Sequence, residues 1–301
     1  MKKILLLSCA LLLSSTAHSQ LRVVASTTNM AMLANTVGGT QVSVTHLAPP
    51  DRDAHHLAVR PSMMTALRQA DLLVSVGAEL EAGWLMPALQ GAGNPKLNPG
   101  QLGYFEAAAQ VTLIDPQPQA DRSQGDVHPT GNPHIYLDPP RLARAGLALA
   151  EAMAALAPEH GDYFRHNAAS FAEQVDTQLP HWQSLTQNAA GVLLYHADAN
   201  YLARLLSVPV LGYMEPLPGI PPSGRHLSQL VSNLKGKAGV LIMPTYQPAR
   251  AATLIEQELG WPVIVLPSNV AAGGTSDDYL ALIKRWAQAF AAAQKPAGNP
   301  Q

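Results

Sequence analysis

Short apolar runs alternate with helix-length stretches in both halves of this chain, and that alternation restricts its fold more than any other feature. Residues 21–26, 42–48 and 71–77 read as strands, with helices expected over 29–37, 61–70 and near 82–90. Residues 111–114 are expected to supply a fourth strand. Strands alternating with helices imply a parallel sheet, with ligands at the carboxyl ends of its strands. The pattern resumes with strands at 191–196, 208–214, 238–243 and 262–266, helices at 199–206, 225–234 and 248–259, and a last helix from Ser276 to about residue 293. Between the halves lie a helix over 141–156 and a second one opening at Pro158, with Phe164, Phe171, Val175 and Leu179 spaced as a helical stripe. Pro180 is placed to kink it. The expected fold is α/β, with two Rossmann-like lobes, each on a parallel sheet, joined by one long rigid helix. The divisions expected are 1–19, a signal peptide; 20–140, the first lobe; 141–188, the helical linker; and 189–301, the second lobe.

The leader follows from Lys2 and Lys3, an apolar core of about ten residues and small residues before Ser19. Cleavage near Ser19 would deliver the protein to the periplasm. Cys9 falls inside the apolar core, too early for a lipid-attachment site, so no lipid anchor is expected. It is also the only cysteine, so the mature chain has no disulfide. Once Lys2 and Lys3 leave with the leader, 17 basic residues face 21 acidic ones. No basic cluster stands out, which argues against nucleic acid or an anionic membrane as partner.

The chemistry centres on Gly131-Asn132-Pro133-His134-Ile135-Tyr136-Leu137-Asp138-Pro139. The two prolines stiffen the loop, and Asp138 can cap a helix that starts at Pro139. One loop histidine is ordinarily a solvated side chain. Here His55 follows the second expected strand, His134 the fourth, and His196 ends the first strand of the second lobe. In open α/β sheets such positions face the ligand crevice. Three imidazoles meeting there would suit a borderline-soft divalent ion, zinc first.

These segments resemble the metal-specific substrate-binding proteins of ABC transporters, the zinc/manganese family. Asp53-Ala54-His55 with Pro61-Ser62 is similar to the family's first ligand segment. Asn132 to Pro139 is nearly its second, and Tyr195-His196-Ala197-Asp198-Ala199-Asn200 resembles its third. The resemblance spans essentially the whole mature chain. It implies a C-clamp hinged on one helix with the metal in the interlobe cleft, and His55, His134 and His196 as ligands. It further implies a non-enzymatic role: capture of Zn2+, less readily Mn2+, by a monomer that serves an inner-membrane permease with a cytoplasmic ATPase. A periplasmic metallochaperone is a further candidate partner.

Two departures bear on the site. The family places an Asp after the last strand, where this chain has Leu266-Pro267-Ser268, and an acid after the preceding strand, where it has Met243. The fourth ligand is therefore open among Glu215, Asp277, Asp278 and a water. Asp121, Asp126 and His128 are too sparse to make the 115–133 loop a metal-gathering one. His56 is expected to point away from the ion, and His46, His160, His166, His181 and His226 to be surface or packing residues. The rival readings are a manganese or iron carrier of the same class, and a zinc hydrolase or hydratase using the three histidines with a bound water. The second lacks a convincingly placed general base.

Overall fold

The computed structural model describes residues 20–119 and 125–294. The leader, with Cys9 and the expected cleavage at Ser19, lies outside the described residues, as does Asp121.

Among the described residues, eight strands form two four-stranded parallel sheets. The first contains β1 (Leu21–Ala25), β2 (Val42–His46), β3 (Leu72–Ser75) and β4 (Tyr104–Glu106) in the order β2-β1-β3-β4. The second contains β5 (Val192–Leu194), β6 (Val210–Tyr213), β7 (Val240–Pro244) and β8 (Val263–Leu266) in the order β6-β5-β7-β8. The lobes thus share one topology, although their sequences show no convincing repeat. The inner strands β3, β5 and β7 are buried at every residue, which is why they read as unbroken apolar runs.

Helices α1 (Thr28–Gly38), α2 (Pro61–Gln69) and α3 (Leu85–Ala92) cover the first sheet, and α6 (Asn200–Leu205), α7 (Gly224–Leu234) and α8 (Arg250–Leu259) belong to the second. The connection is α4 (Pro139–Leu156), capped by Asp138, whose carboxylate accepts from the Arg141 amide at 2.9 Å, followed by α5 (Gly161–Thr186). Pro158 starts a single 3-10 turn, and α5 begins three residues later. The final helix, α9 (Ser276–Phe290), opens with a capping box between Thr275 and Asp278.

The core is continuous between the lobes. Phe164, Phe171, Val175 and Trp182 on α5 are buried together with Leu33 and Val37 of α1, Leu149 of α4 and Trp286 of α9. Full burial stabilises each such side chain by about 1.5–3 kcal/mol, so the linker helix is fixed along its length. Direct bonds also cross the back of the cleft. Asn29 donates to the Ser268 carbonyl and accepts from the Val270 amide, both at 3.0 Å, Thr28 donates to the Val270 carbonyl at 2.7 Å, and Tyr279 donates to the Tyr136 carbonyl at 2.9 Å. A hinge made of one packed helix and these ties permits little opening.

The expected strand at 111–114 is corrected: the edge strand is β4, at 104–106. Backbone groups of the 110–114 segment bond to neighbouring helices and loops instead of a ladder. Arg144 and Arg141 of α4 take the Gln110 and Thr112 carbonyls, and the Asn132 amide takes that of Ile114. Gly103 permits the earlier turn, because a Cβ there would meet the Lys96 and Asp71 carbonyls at 2.6 and 2.7 Å.

After β3 the chain turns through three successive positive-φ residues, Gly77, Ala78 and Glu79. Glu81 closes this turn. Its buried carboxylate accepts from the amides of Val76 at 2.8 Å and Gly77 at 3.1 Å. Glu81→Ala should cost about 2–4 kcal/mol, from buried amides left short of an acceptor. Urea unfolding would show it as a lower midpoint at unchanged slope.

Candidate metal centre

Each of the three histidines is held by an oxygen at its Nδ1, and two are held in the same way. After β2, the loop 49–53 turns back, and the Asp53 carboxylate accepts from the His55 amide at 2.9 Å while lying 2.8 Å from His55 Nδ1. Trp84 fixes the same segment by donating its indole N–H to the Ala54 carbonyl at 2.8 Å. In the second segment the Asn132 side-chain oxygen accepts from the His134 amide at 2.9 Å and lies 2.8 Å from His134 Nδ1. A short oxygen-bearing side chain two residues ahead of a histidine can grip its backbone and ring together, as Asx turns do. Gly131 makes this loop possible: at φ 134° a Cβ would press within 2.6 Å of the Leu113 Cβ. Asn132 also reaches the second lobe, donating to the Ala197 carbonyl at 2.7 Å, and its own carbonyl accepts from Tyr201 at 2.6 Å.

The third grip is tertiary. His196 follows β5, and its Nδ1 lies 2.7 Å from a Glu215 carboxylate oxygen that also accepts from the Gly219 amide at 2.9 Å. Glu215 follows β6, the neighbouring strand of the sheet.

The structure brings His55, His134 and His196 together. Their rings are buried, with centroids 5.2, 5.4 and 5.0 Å apart, and a ligating atom from each lies within 4.8 Å of the others. With a proton at Nδ1 held by an oxygen, a neutral imidazole has its free lone pair on Nε2. His196 Nε2 is buried and has no hydrogen-bond partner. This is how metal-ligating histidines are oriented, with an outer oxygen fixing tautomer and ring.

The electrostatics differ from ring to ring. Burial lowers the His134 pKa well below its ordinary value, and the neighbouring imidazoles of His196, His55 and His128 add to the effect. Burial also pulls His196 down, but Glu215 on its Nδ1, helped by Asp198 and Asp53, more than reverses this and raises it to about 9. Burial would raise Asp53, yet the ring and amide of His55 hold it well below the usual carboxylate range, so it stays a charged acceptor.

Of the open fourth positions, Glu215 stands behind His196 rather than in front of it. Asp278 is exposed and spent on the α9 cap, with Asp277 beside it. His56 points away, its Nε2 2.9 Å from an Asp126 carboxylate oxygen. His128, weighed from sequence only as one of three sparse residues of the 115–133 loop, was not expected at the site. It is buried at the cluster with its Nε2 3.2 Å from His55 Nε2. Its one signal was being the sole histidine of the 115–133 loop, six residues ahead of His134. The cleft in front of these groups has a volume of about 500 Å³ and is lined by His134, His196, His128, Asp126 and Pro216 among others.

The sequence pattern of the family described as zinc-uptake complex component A, periplasmic, matches residues 23–293. The chain belongs to that family. The family is one of metal-binding substrate-binding proteins of ABC transporters, not of enzymes. Among its relatives is the high-affinity zinc uptake system protein ZnuA of Yersinia pestis, 24% identical over 267 residues that cover 83% of each chain. The manganese-binding lipoprotein MntA of Bacillus subtilis is 28% identical over 159 residues, covering 53% of this chain and 48% of its own. A crystal structure of ZnuA superposes with a TM-score of 0.76 at 22% identity, covering 91% of this chain and 99% of that one. The substrate-binding protein FpvC of Pseudomonas aeruginosa, in complex with Mn2+, gives 0.78 at 19% identity, covering 91% and 98%. These likenesses establish the two-lobed fold of the family. Among the described residues, no helix is long and apolar enough to cross a membrane.

Proposed function

We propose that the protein captures Zn2+ in the periplasm on the Nε2 atoms of His55, His134 and His196. It then passes the ion, as a monomer, to an inner-membrane ABC permease with a cytoplasmic ATPase. A metallochaperone is the class of partner that would load it. The observation that carries this reading is the triple grip: Asp53, Asn132 and Glu215 hold the three Nδ1 atoms at 2.8, 2.8 and 2.7 Å, so that Nε2 of each ring is the atom left for an ion. The name of the Yersinia relative supports zinc, while MntA carries manganese in its name and FpvC was solved in complex with Mn2+. Between the two, the donor set favours zinc, because the converging atoms are nitrogens and manganese prefers oxygen.

Metal competition tests the choice. The metal-free protein, equilibrated with equal zinc and manganese, separated from free ions and analysed for both elements, is expected to carry about one zinc per chain and little manganese. Manganese in excess of zinc would overturn the assignment.

A further inference from the structure

The geometry points to His128 as a fourth ligand of the same ion, carried across the cleft by a strap of residues 125–131. The inference rests on the zinc reading above and extends it. Three nitrogens leave one corner of a tetrahedron open, and Leu266-Pro267-Ser268-Asn269, after the last strand, offers it no carboxylate. The carboxylates that sequence offered as substitutes are engaged elsewhere or face solvent, as described. His128 is at hand. Two nitrogens bound to one zinc at about 2.0–2.1 Å lie roughly 3.3 Å apart in a tetrahedron. The Nε2 atoms of His55 and His128 are 3.2 Å apart, with ring centroids at 5.3 Å, and the His128 ring is 6.2 Å from that of His134. The mutual 4.8 Å grouping of ligating atoms takes in His55, His134 and His196 but not His128, so His128 must move closer to His134 and His196 to close the fourth corner.

The strap that carries it is fastened at both sides. On the first lobe, His56 pairs with Asp126 at 2.9 Å, and the Gln117 amide donates to the Pro129 carbonyl at 3.2 Å. Toward the second lobe, the Asp126 amide donates to the Pro218 carbonyl at 2.8 Å. Close approach there depends on glycine: a Cβ on Gly219, at φ 77°, would collide with the Asp126 carboxylate, and one on Gly125 would meet the Pro218 carbonyl. Pro218 and Gly219 belong to the loop whose Gly219 amide binds Glu215, the partner of His196. The strap therefore connects a first-lobe histidine to the loop that orients the second-lobe one. It puts a neutral nitrogen donor at the fourth corner, and an all-imidazole site has no oxygen for manganese.

X-ray absorption on the zinc-loaded mature chain, with calorimetry on the wild type, His128→Ala and His134→Ala, tests this. Expected are four imidazole nitrogens around zinc in the wild type, three with one oxygen in His128→Ala, and an affinity loss of roughly 100-fold in that variant. A wild-type shell of three imidazoles and an oxygen, or an affinity unchanged by His128→Ala, overturns the fourth ligand alone. An affinity unchanged by His134→Ala overturns the zinc site itself. The shell distinguishes a ligand from a merely structural strap, since a structural role would give wild type and His128→Ala the same number of imidazoles around zinc.

Discussion

His134→Ala and His196→Ala are each expected to cut zinc affinity on the order of 100- to 1,000-fold. Structural zinc sites bind with about 10–16 kcal/mol, which over three or four ligands is roughly 3–4 kcal/mol apiece. Every 1.4 kcal/mol or so is tenfold in affinity. Truncation at 134 leaves the loop in place, because Asn132 still holds Ala197 and Tyr201 across the cleft. The loss should therefore be one of ligation and not of folding. It can be read twice, by calorimetry against a competing chelator and by melting. At about a thousandfold excess over its Kd, zinc adds about 4 kcal/mol to the native state. For a chain of this size that raises the melting temperature by roughly 10 °C. Both variants should lose most of that rise. Full zinc stabilisation in both would remove this cluster as the site.

Zinc binding is also expected to expel about one proton at pH 7, and to tighten by up to about tenfold per pH unit until pH 9 or so. The proton comes from His196, whose pKa in the metal-free protein is raised to about 9: burial works against its charge, and Glu215 outweighs burial. His134 contributes none, since burial and its neighbours keep it neutral. The sign for the metal-free fold is opposite. A raised histidine pKa stabilises fully below the unfolded value of about 6.5 and loses that stabilisation as pH rises through about 9. The melting-temperature gap between zinc-loaded and metal-free protein should therefore widen across that window. Calorimetry in buffers of different ionisation enthalpy counts the proton. Glu215→Gln, which leaves only the lesser pull of Asp198 and Asp53 against burial, should reduce both the proton released and the slope above neutrality. A wild type that releases none at pH 7 would show that His196 is not protonated beside Glu215. An ordinary imidazole would give weakening only below about pH 6, and nothing local to His196 in the sequence announces Glu215.

Much of the site could be read in the chain because two of its three grips are local. Asp53 and His55, and Asn132 and His134, sit two residues apart, so side chain, amide and ring meet within one turn whatever surrounds them. The stiff Pro133 and Pro139 and the Asp138 cap likewise act within a few residues. Burial on both faces of β3, β5 and β7 left short apolar runs between helices, which made the parallel α/β lobes predictable. The misplaced fourth strand shows the limit. Residues 111–114 and 104–106 are comparably suited to an edge, and partners from α4 and the Asn132 loop decided between them.

By itself, then, the sequence determined the two α/β lobes, the helices between them and the local grips on His55 and His134, since hydrophobic period, proline stiffness and Asx-type turns are all encoded within short segments. Only the tertiary structure decided the rest. Glu215 became the partner of His196 because β5 and β6 are neighbours in the sheet, and His128 entered the cluster because the Pro218–Gly219 turn lets Asp126 come close. Contacts between residues that far apart in the chain depend on how the lobes pack, and packing leaves no local pattern to read.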